Sequence, residues 1–505
     1  MKKELCQALN FQNNNALNEA LTLYQEQLHF EHSSWEWMFI YGNMANIFFT
    51  NNEIPQAIEW YQKALYYENK NQKILFNLGV AYLKNESFDE AKTYFLELIA
   101  INPRHYTAFL NLAICYKNLK EYQTAFDTFS KALCLNAHDM DLYYNLGNLY
   151  LTVENFSYAL KNYLYVLKHD KKYVKALYSA GLCYHKILKN KLAIRYFDHA
   201  LSLEPFYYDC LFAKSLALLQ LGDYAHGWEL YHYRFEAKNS LKKAKYNVPL
   251  LQNHDVKNKI ILVQGEQGYG DTIQFSRFLN AFQEAKKVYF AVREPLKELM
   301  QNSFQQCVVC THEDILDDVE YFVSLMDLPR IFKHKDMFAT TTFPYLVSSP
   351  CNTISLNKTK MSVGFCWEGN VEHSNNHNRS IPLSYFIDLI QEHKNIIFYS
   401  LQKYTQEKLP IMDNLVDLSS VITDFTITAS CVEKLDYIVS IDSALIHLSG
   451  ALNKKSFLLL PKYCEFRWGE KGKNNWYESM TIIRQSRQGN WDNVFLELRN
   501  NFLTF

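Results

Sequence analysis

The sequence predicts a chain in two parts, an all-α superhelix of helical repeats followed by an α/β module with two lobes. Small and aromatic residues recur with a period of 34 residues through the first part. This period stops after about residue 235. Beyond that point, short apolar runs alternate with helix-like stretches, which is the pattern of a parallel, doubly wound sheet.

The repeat is marked by an alanine, an aromatic residue four positions later and a small residue twelve positions earlier. The alanines are Ala57, Ala91, Ala125, Ala159 and Ala193, and the small residues are Ala45, Gly79, Ala113, Gly147 and Gly181. A small residue on one helix lets a second helix approach closely, and each helix pair buries its face against its neighbours. The pattern resembles the tetratricopeptide repeat. We expect five repeats over about 38–205, within a helical domain of 1–235.

An asparagine recurs two positions before each small residue in the first four repeats. These residues are Asn43, Asn77, Asn111 and Asn145. Each lies on the first helix of its repeat, which lines the concave face, and an amide offers a donor and an acceptor to a peptide backbone. The ladder resembles the one in the repeat domain of eukaryotic protein O-linked N-acetylglucosamine transferase. We therefore expect a bound peptide, the alternative being that the asparagines only link the repeats.

The second part divides into a junction over 236–258, an N-terminal lobe over 259–350 and a C-terminal lobe over 351–505. Helices are predicted at 271–282 and 382–393. Strands are predicted at 260–264, 288–292, 321–326, 362–367, 396–401, 436–441, 456–460 and 480–484. The Cys307 and Cys310 pair in "QQCVVCTHED" has no second pair nearby. We interpret it as part of a β-branched strand rather than as a metal or redox motif.

Three loops follow predicted strands, at the edge where ligands of parallel sheets bind. "GEQGYGD" (265–271) contains Gly268 and Gly270 and ends on Asp271, which suits either a helix N-cap or a site residue. "WEGNVEHSNNHNRSIPLSYF" (367–386) carries Arg379, whose guanidinium suits a phosphate. "IDSALIHLSGALN" (441–453) begins a helix whose free N–H groups suit an anion.

The stretch "DSALIHLSGALNK" (442–454) resembles the signature of the ADP-heptose:lipopolysaccharide heptosyltransferase family. The resemblance implies that this segment holds the diphosphate and ribose of a nucleotide sugar, through Asp442, Ser443, Ala444 and His447. It further implies that Asp271 in the Gly270-Asp271 pair is the base and that Arg379 contacts phosphate. The sequence departs from the family at Arg379, where lysine is usual, at Ile381, where tryptophan is usual, and in its shorter N-terminal lobe.

The whole chain is similar to a narrower bacterial group in which tetratricopeptide repeats precede such a module. The similarity lies in "GWELYHYRF" (227–235), "GEQGYGDTIQFSRF" (265–278), "SLQ" (400–402) and "RWGEKGKNNWYESM" (467–480). It implies an inverting, metal-independent glycosyltransferase of the GT-B type with a protein acceptor, flagellin being one acceptor proposed for the group. Gln402 would then join the nucleotide-sugar site, with Glu266 as a second candidate base.

The bulk composition narrows the remaining possibilities. A formal net charge of -1 means that the chain has no excess of positive charge of the kind that indicates nucleic-acid binding. We expect neither a signal peptide nor a membrane span, and the scattered cysteines suit reduced thiols in the cytoplasm. We expect no cofactor and no metal. Two alternatives stay open, a non-catalytic scaffold with a degenerate module and a transferase that acts on a glycan or a lipid.

Overall fold

The computed structural model describes residues 3–237, 248–333, 342–349, 359–373, 375–403, 405, 407–470 and 476–502. Residues 238–247 of the predicted junction therefore lie outside the described residues. The chain forms two compact units, Met1–Cys183 and Tyr184–Phe505. No helix within the described ranges combines the length and the apolar character that a membrane crossing requires.

The first part of the described chain is entirely helical up to the first strand. Its helices are α1 Lys3–Asn13, α2 Leu17–Gln27, α3 Ser34–Thr50, α4 Ile54–Tyr67, α5 Gln72–Lys84, α6 Phe88–Ile101, α7 Tyr106–Asn118, α8 Tyr122–Leu135, α9 Met140–Thr152, α10 Phe156–His169, α11 Val174–Lys186, α12 Asn190–Leu203, α13 Tyr208–Leu221 and α14 Tyr224–Tyr231. They alternate as the first and second helices of repeats, which confirms the predicted helical array.

The small residues of the repeat pack against its aromatic residues. A Cβ added at Gly79 would lie 2.7 Å from Cε1 of Phe95, and one added at Gly147 would lie 2.6 Å from Cε1 of Tyr163. Real Cβ atoms do not approach other atoms this closely, so these two glycines let the aromatic ring lie directly against the helix backbone. The period of small and aromatic residues thus has the steric cause predicted from the sequence.

The aromatic position of the repeat also carries a buried polar pair in two repeats. The hydroxyls of Tyr61 and Tyr163 donate to Oδ1 of Asn46 and Asn148, at 2.6 and 2.8 Å. Where the aromatic is a phenylalanine, the residue at the asparagine position is apolar: Val80, Ile114 and Leu182. A buried hydroxyl and its acceptor therefore occur together or not at all, as the cost of an unpaired buried polar group requires.

The second unit contains the end of the helical array and two parallel sheets. The strands are β1 Ile260–Gln264, β2 Lys287–Val292, β3 Val308–Thr311, β4 Tyr321–Ser324, β5 Met361–Cys366, β6 Ile396–Ser400, β7 Leu415–Asp417, β8 Tyr437–Ile441, β9 Ser456–Leu460 and β10 Met480–Arg484. The first sheet has the order β3-β2-β1-β4, and the second has the order β10-β9-β8-β5-β6-β7. All pairings between these strands are parallel.

Helices connect these strands and cover the sheets. They are α15 Tyr269–Phe275, α16 Glu294–Ser303, α17 Leu328–Ile331, α18 Asn376–Arg379, α19 Leu383–Glu392, α20 Phe425–Lys434, α21 Ala444–Ala451 and α22 Asp492–Phe502. The central strands are buried along nearly their whole length, as strands of a sheet covered on both faces must be. The prediction of a parallel α/β region after the repeats is confirmed.

The individual elements differ from the prediction in two places. All eight predicted strands are present, and the "CVVC" stretch does contribute to a strand, β3. The short edge strand β7 was not predicted, because three residues give too little alternation to detect. The predicted helix over 271–282 is wrong in detail, since α15 ends at Phe275 and a 3-10 segment covers Ser276–Phe282.

Candidate functional site

The loop after β1 is closed by a hydrogen bond from its own backbone to Asp271. Gly268 is the N-cap of α15, in an extended conformation, and its N–H donates to Oδ2 of Asp271 at 2.8 Å. The idea that Asp271 itself is the N-cap is therefore wrong. Asp271 is the third residue of the helix and reaches back to the cap, a capping-box arrangement that holds its carboxylate at the carboxyl edge of the first sheet.

The second oxygen of Asp271 is paired with Arg467. Nη2 of Arg467 donates to Oδ1 of Asp271, Nη1 donates to Oε2 of Glu465 at 2.8 Å, and Nε donates to Oε1 of Gln274 at 2.8 Å. The Arg467 side chain is 6% exposed. Burial alone would lower the pKa of Arg467, but Asp271 and Glu465 outweigh this effect and raise it. A guanidinium from 196 positions later in the chain thus fixes the Asp271 carboxylate.

Glu266 has a different environment. Its two oxygens accept from Nη2 and Nε of Arg234, at 2.5 and 3.1 Å, and one also accepts from the hydroxyl of Ser324. Arg234 donates in addition to Asp327 at 2.7 Å. The structure thus places Glu266 in a buried ion-pair network, which fastens the start of the 265–271 loop.

The start of α21 lies against the same loop. Ser443 is its N-cap, but the Ser443 side chain makes no cap hydrogen bond and instead contacts the Ser440 hydroxyl at 3.0 Å. A Cβ added at Gly270 would lie 2.9 Å from Cδ2 of His447 and 3.5 Å from Cα of Ala444. The loop that carries Asp271 is therefore in contact with the helix start that is predicted to bind an anion. The absence of a side chain at Gly270 makes this contact possible.

His447 is buried in a polar pocket and does not lie on the helix surface. Its Nδ1 lies 3.0 Å from the Tyr477 hydroxyl, its Nε2 lies 3.6 Å from Oδ1 of Asp442, and its ring stacks on Trp468. Burial by itself would raise the pKa of Asp442, but His447 and Arg467 outweigh it and hold that pKa below its ordinary value. Asp442 is therefore a carboxylate that holds the imidazole, as carboxylate–histidine pairs do elsewhere.

Arg379 reaches the end of β8. It is the last residue of α18, and its Nη1 donates to the Asp442 carbonyl at 3.1 Å. A Cβ added at Gly369 would lie 2.6 Å from Nη2 of Arg379, so this glycine leaves the space that the guanidinium occupies. The structure brings Arg379 to the segment that begins α21, as the predicted phosphate site requires.

Gln402 lies at the same edge, but its side chain forms hydrogen bonds with the backbone of a neighbouring loop. Its Oε1 accepts from the backbone N–H groups of Trp367 and Glu368, at 3.3 and 3.1 Å, and its Nε2 donates to the Glu368 carbonyl at 3.1 Å. The side chain is buried. Gln402 thus positions the loop after β5, and its predicted contact with a nucleotide sugar stays a prediction.

Sequence reasoning missed two residues of this cluster, Arg467 and Tyr477. Both fall in "RWGEKGKNNWYESM", the stretch that resembles the bacterial group, and that resemblance was the available signal. No spacing rule connects them to Asp271 or His447, because they lie on distant segments. Within the described residues, no group of three or more His, Cys, Asp or Glu side chains is arranged to hold a metal ion.

The asparagines of the ladder in the first unit are half-buried, and their side chains differ in the hydrogen bonds that they make. Nδ2 of Asn43 and of Asn145 donates to a carbonyl of its own helix, at 2.8 Å in both cases. Nδ2 of Asn77 donates to Asn46 of the preceding repeat at 3.1 Å. Among the described residues, the side-chain amide of Asn111 makes no hydrogen bond. The alternative that these asparagines link repeats thus applies to Asn77, and peptide binding stays a prediction.

Comparison with known families identifies the repeats. Residues 45–86 match the TPR repeat, and residues 76–139 and 174–207 match the tetratricopeptide repeat. Tetratricopeptide repeats are therefore present in the helical part of the chain, as predicted from the 34-residue period.

One curated relative is Protein FlbA of Caulobacter vibrioides, which is 22% identical over 320 residues, or 56% of this chain and 52% of the relative. The chain thus spans about half the length of the curated relative that it matches. Among solved structures, a tetratricopeptide repeat protein from Parabacteroides merdae is 17% identical, with a TM-score of 0.42, over 48% of this chain and 93% of that one. YrrB, described as a TPR protein with an unusual peptide-binding site, is 25% identical, with a TM-score of 0.29, over 35% and 91%.

Proposed function

We propose that the chain is a glycosyltransferase that moves a sugar from a nucleotide sugar to a protein recruited by its tetratricopeptide repeats. One observation carries the proposal. The 265–271 loop, Arg379 and the start of α21 come together at the carboxyl ends of parallel strands, although they are far apart in sequence. In this proposal the two sheets of the second unit are the two lobes of a GT-B enzyme.

The donor diphosphate would bind at the start of α21. The Ser443 side chain does not cap this helix, which leaves the first N–H groups to an anion. Arg379 would add a cation, and His447, held by Asp442, would donate to the same phosphate or to the ribose. Helix dipole and guanidinium neutralise a diphosphate leaving group without requiring a metal ion.

Asp271 would act as the base. Its carboxylate takes the proton from an acceptor hydroxyl while that oxygen forms a bond to the anomeric carbon of the sugar. The bond between the anomeric carbon and the diphosphate oxygen breaks, and the nucleoside diphosphate leaves with the electron pair. Attack opposite the leaving group inverts the anomeric configuration. Glu266 is the less suitable base, because three side-chain donors from Arg234 and Ser324 bind its oxygens, whereas Asp271 accepts from one side-chain donor and one backbone N–H.

The acceptor would be a protein segment in the repeat groove. Each asparagine of the ladder can bind peptide backbone irrespective of the side chains of the peptide. Asn111 is the best placed for this role, since its amide makes no hydrogen bond among the described residues. On a peptide array, Asn111→Ala should lose binding without loss of stability, whereas Asn77→Ala should also loosen the contact with Asn46.

A non-catalytic scaffold is the second candidate. Asp271 and Glu266, the two candidate bases, are both engaged in ion pairs with arginine. If those pairs persist with a ligand bound, the module would bind a nucleotide without turnover.

The testing experiment measures thermal stability and nucleotide release with a panel of nucleotides and nucleotide sugars. A ligand that binds only the folded state adds about 2.7 kcal/mol at a hundredfold excess over Kd. We expect one nucleotide class to stabilise the wild type, with the effect lost in His447→Ala and Arg379→Ala. Arg499→Ala is the matched control, because Arg499 pairs with Glu392 on the exposed surface. No stabilisation by any nucleotide would refute the donor site, and binding without sugar transfer would favour the scaffold.

A further inference from the structure

We infer that Arg467 is the positioning residue that holds the Asp271 carboxylate in the orientation needed to accept a proton. This inference rests on the proposed function and adds to it a residue that the sequence motifs did not assign. A carboxylate rotates readily about its last torsion, so one hydrogen bond does not fix its plane. Asp271 has two anchors, the Gly268 N–H on Oδ2 and the Arg467 guanidinium on Oδ1.

The Arg467 guanidinium is itself held in place. Gln274 accepts from Nε and Glu465 accepts from Nη1, both at 2.8 Å, and these contacts orient the plane of the fork. The Arg467 carbonyl accepts from the Trp476 indole at 2.8 Å. Arg467 therefore meets Asp271 with both its side chain and its backbone restrained, which is what positioning a reacting group to a fraction of an ångström requires.

The backbone around Arg467 is fastened on both sides. Nε2 of Gln220, on α13, donates to the Cys464 carbonyl at 3.0 Å, and Nη2 of Arg484 donates to the Trp468 carbonyl at 2.8 Å. Asn190, on α12, donates through its backbone N–H and its side chain to Glu470, at 3.2 and 2.9 Å. The last repeat helices thus support the segment that positions Asp271.

The test compares Arg467→Gln and Arg467→Lys with Arg484→Gln. Arg484→Gln is the matched control, since it loosens the same segment without touching Asp271. For Arg467→Gln we expect kcat for nucleotide-sugar turnover to fall about 100-fold with little change in the KM for the donor. Arg467→Lys should recover part of this loss because it keeps the charge. It also carries the test if Arg467→Gln does not fold.

A double-mutant cycle separates positioning from a general structural role. In an Asp271→Asn background, Arg467→Gln should cause no further fall in kcat, because the group that it positions is already gone. Equal losses in Arg467→Gln and Arg484→Gln, or additive losses in the cycle, would overturn the inference.

A measurement without substrate separates a failure of this inference from a failure of the proposed function. With [15N]glycine, the chain has 15 labelled glycines, and the Gly268 amide reports directly on the Asp271 carboxylate. We expect the Gly268 signal to shift in Arg467→Gln, as in Asp271→Asn, and to return in Arg467→Lys. An unchanged Gly268 signal in Arg467→Gln overturns the positioning role. If no nucleotide sugar is turned over, the proposed function fails, and this signal alone decides the role of Arg467.

Discussion

Arg234→Met tests whether the buried ion-pair network beneath the 265–271 loop stabilises the second unit. The Arg234 side chain is 1% exposed, and its partners Glu266 and Asp327 are 10% and 8% exposed. Methionine matches the apolar stem of arginine but leaves both carboxylates without their cation. Removing one partner from a buried pair costs about 3–5 kcal/mol of unfolding free energy, and we expect a loss in this range.

The pH dependence of the loss follows from the pKa of Asp327. Burial by itself would raise this pKa, but Arg234 outweighs it with help from His232, and the pKa falls from 3.8 to about 2. Because the pKa is lower in the folded state, the stabilisation is present above about pH 4 and is lost as pH falls through 2. A change of this size corresponds to about 2 kcal/mol. The difference between wild type and variant should therefore narrow by about that amount on acidification.

The assay is urea unfolding followed by tryptophan fluorescence and read for the second unit, where Trp228 packs against the rings of Tyr231 and Phe275. Arg499→Met is the control. Its pair with Glu392 is exposed, so the variant should lose less than about 1 kcal/mol. A loss of less than about 1 kcal/mol in Arg234→Met, or one that stays constant from neutral pH to about pH 3, would refute the reasoning.

Three further predictions concern close packing at a glycine and buried hydrogen bonds. Gly270→Ala should cost about 1–3 kcal/mol of unfolding free energy and weaken nucleotide binding, because the new Cβ meets His447; unchanged thermal shifts would contradict this. Tyr163→Phe should cost about 1 kcal/mol by leaving Oδ1 of Asn148 without its donor, and adding Asn148→Val should recover most of the loss in urea unfolding. Gln402→Leu should cost about 2–3 kcal/mol, since it leaves the buried N–H of Trp367 and the half-buried N–H of Glu368 without this acceptor; a near-neutral result would show that the loop rearranges.

The sequence predicted much of the candidate site because some of its geometry is local. Ser443, Ala444 and His447 lie within one helical turn or next to it, so the spacing alone places them at one helix start. Glycines at 268 and 270 before Asp271 likewise announce a tight loop after a strand. The part that failed was the detail within the loop, where Asp271 proved to reach back to the cap and is not the cap itself.

The ion pairs of the site could not be predicted from the spacing of residues in the sequence. Arg467 meets Asp271 across 196 positions, and Arg234 meets Asp327 across 93. Such pairs form only when two sheets and the last repeat helices have packed, and a sequence offers several arginines for each carboxylate. The burial that makes these pairs matter is also a property of the packed chain.

The sequence by itself determined the helical repeats, their 34-residue period and the parallel sheets. These features depend on the spacing of small, aromatic and apolar residues along the chain, which the sequence shows directly. Only the tertiary structure decided which charges meet. It paired Glu266 with Arg234 and Asp271 with Arg467. The reason is physical: backbone preferences act over a few residues, whereas Coulomb pairing in a buried site depends on distances that folding alone sets.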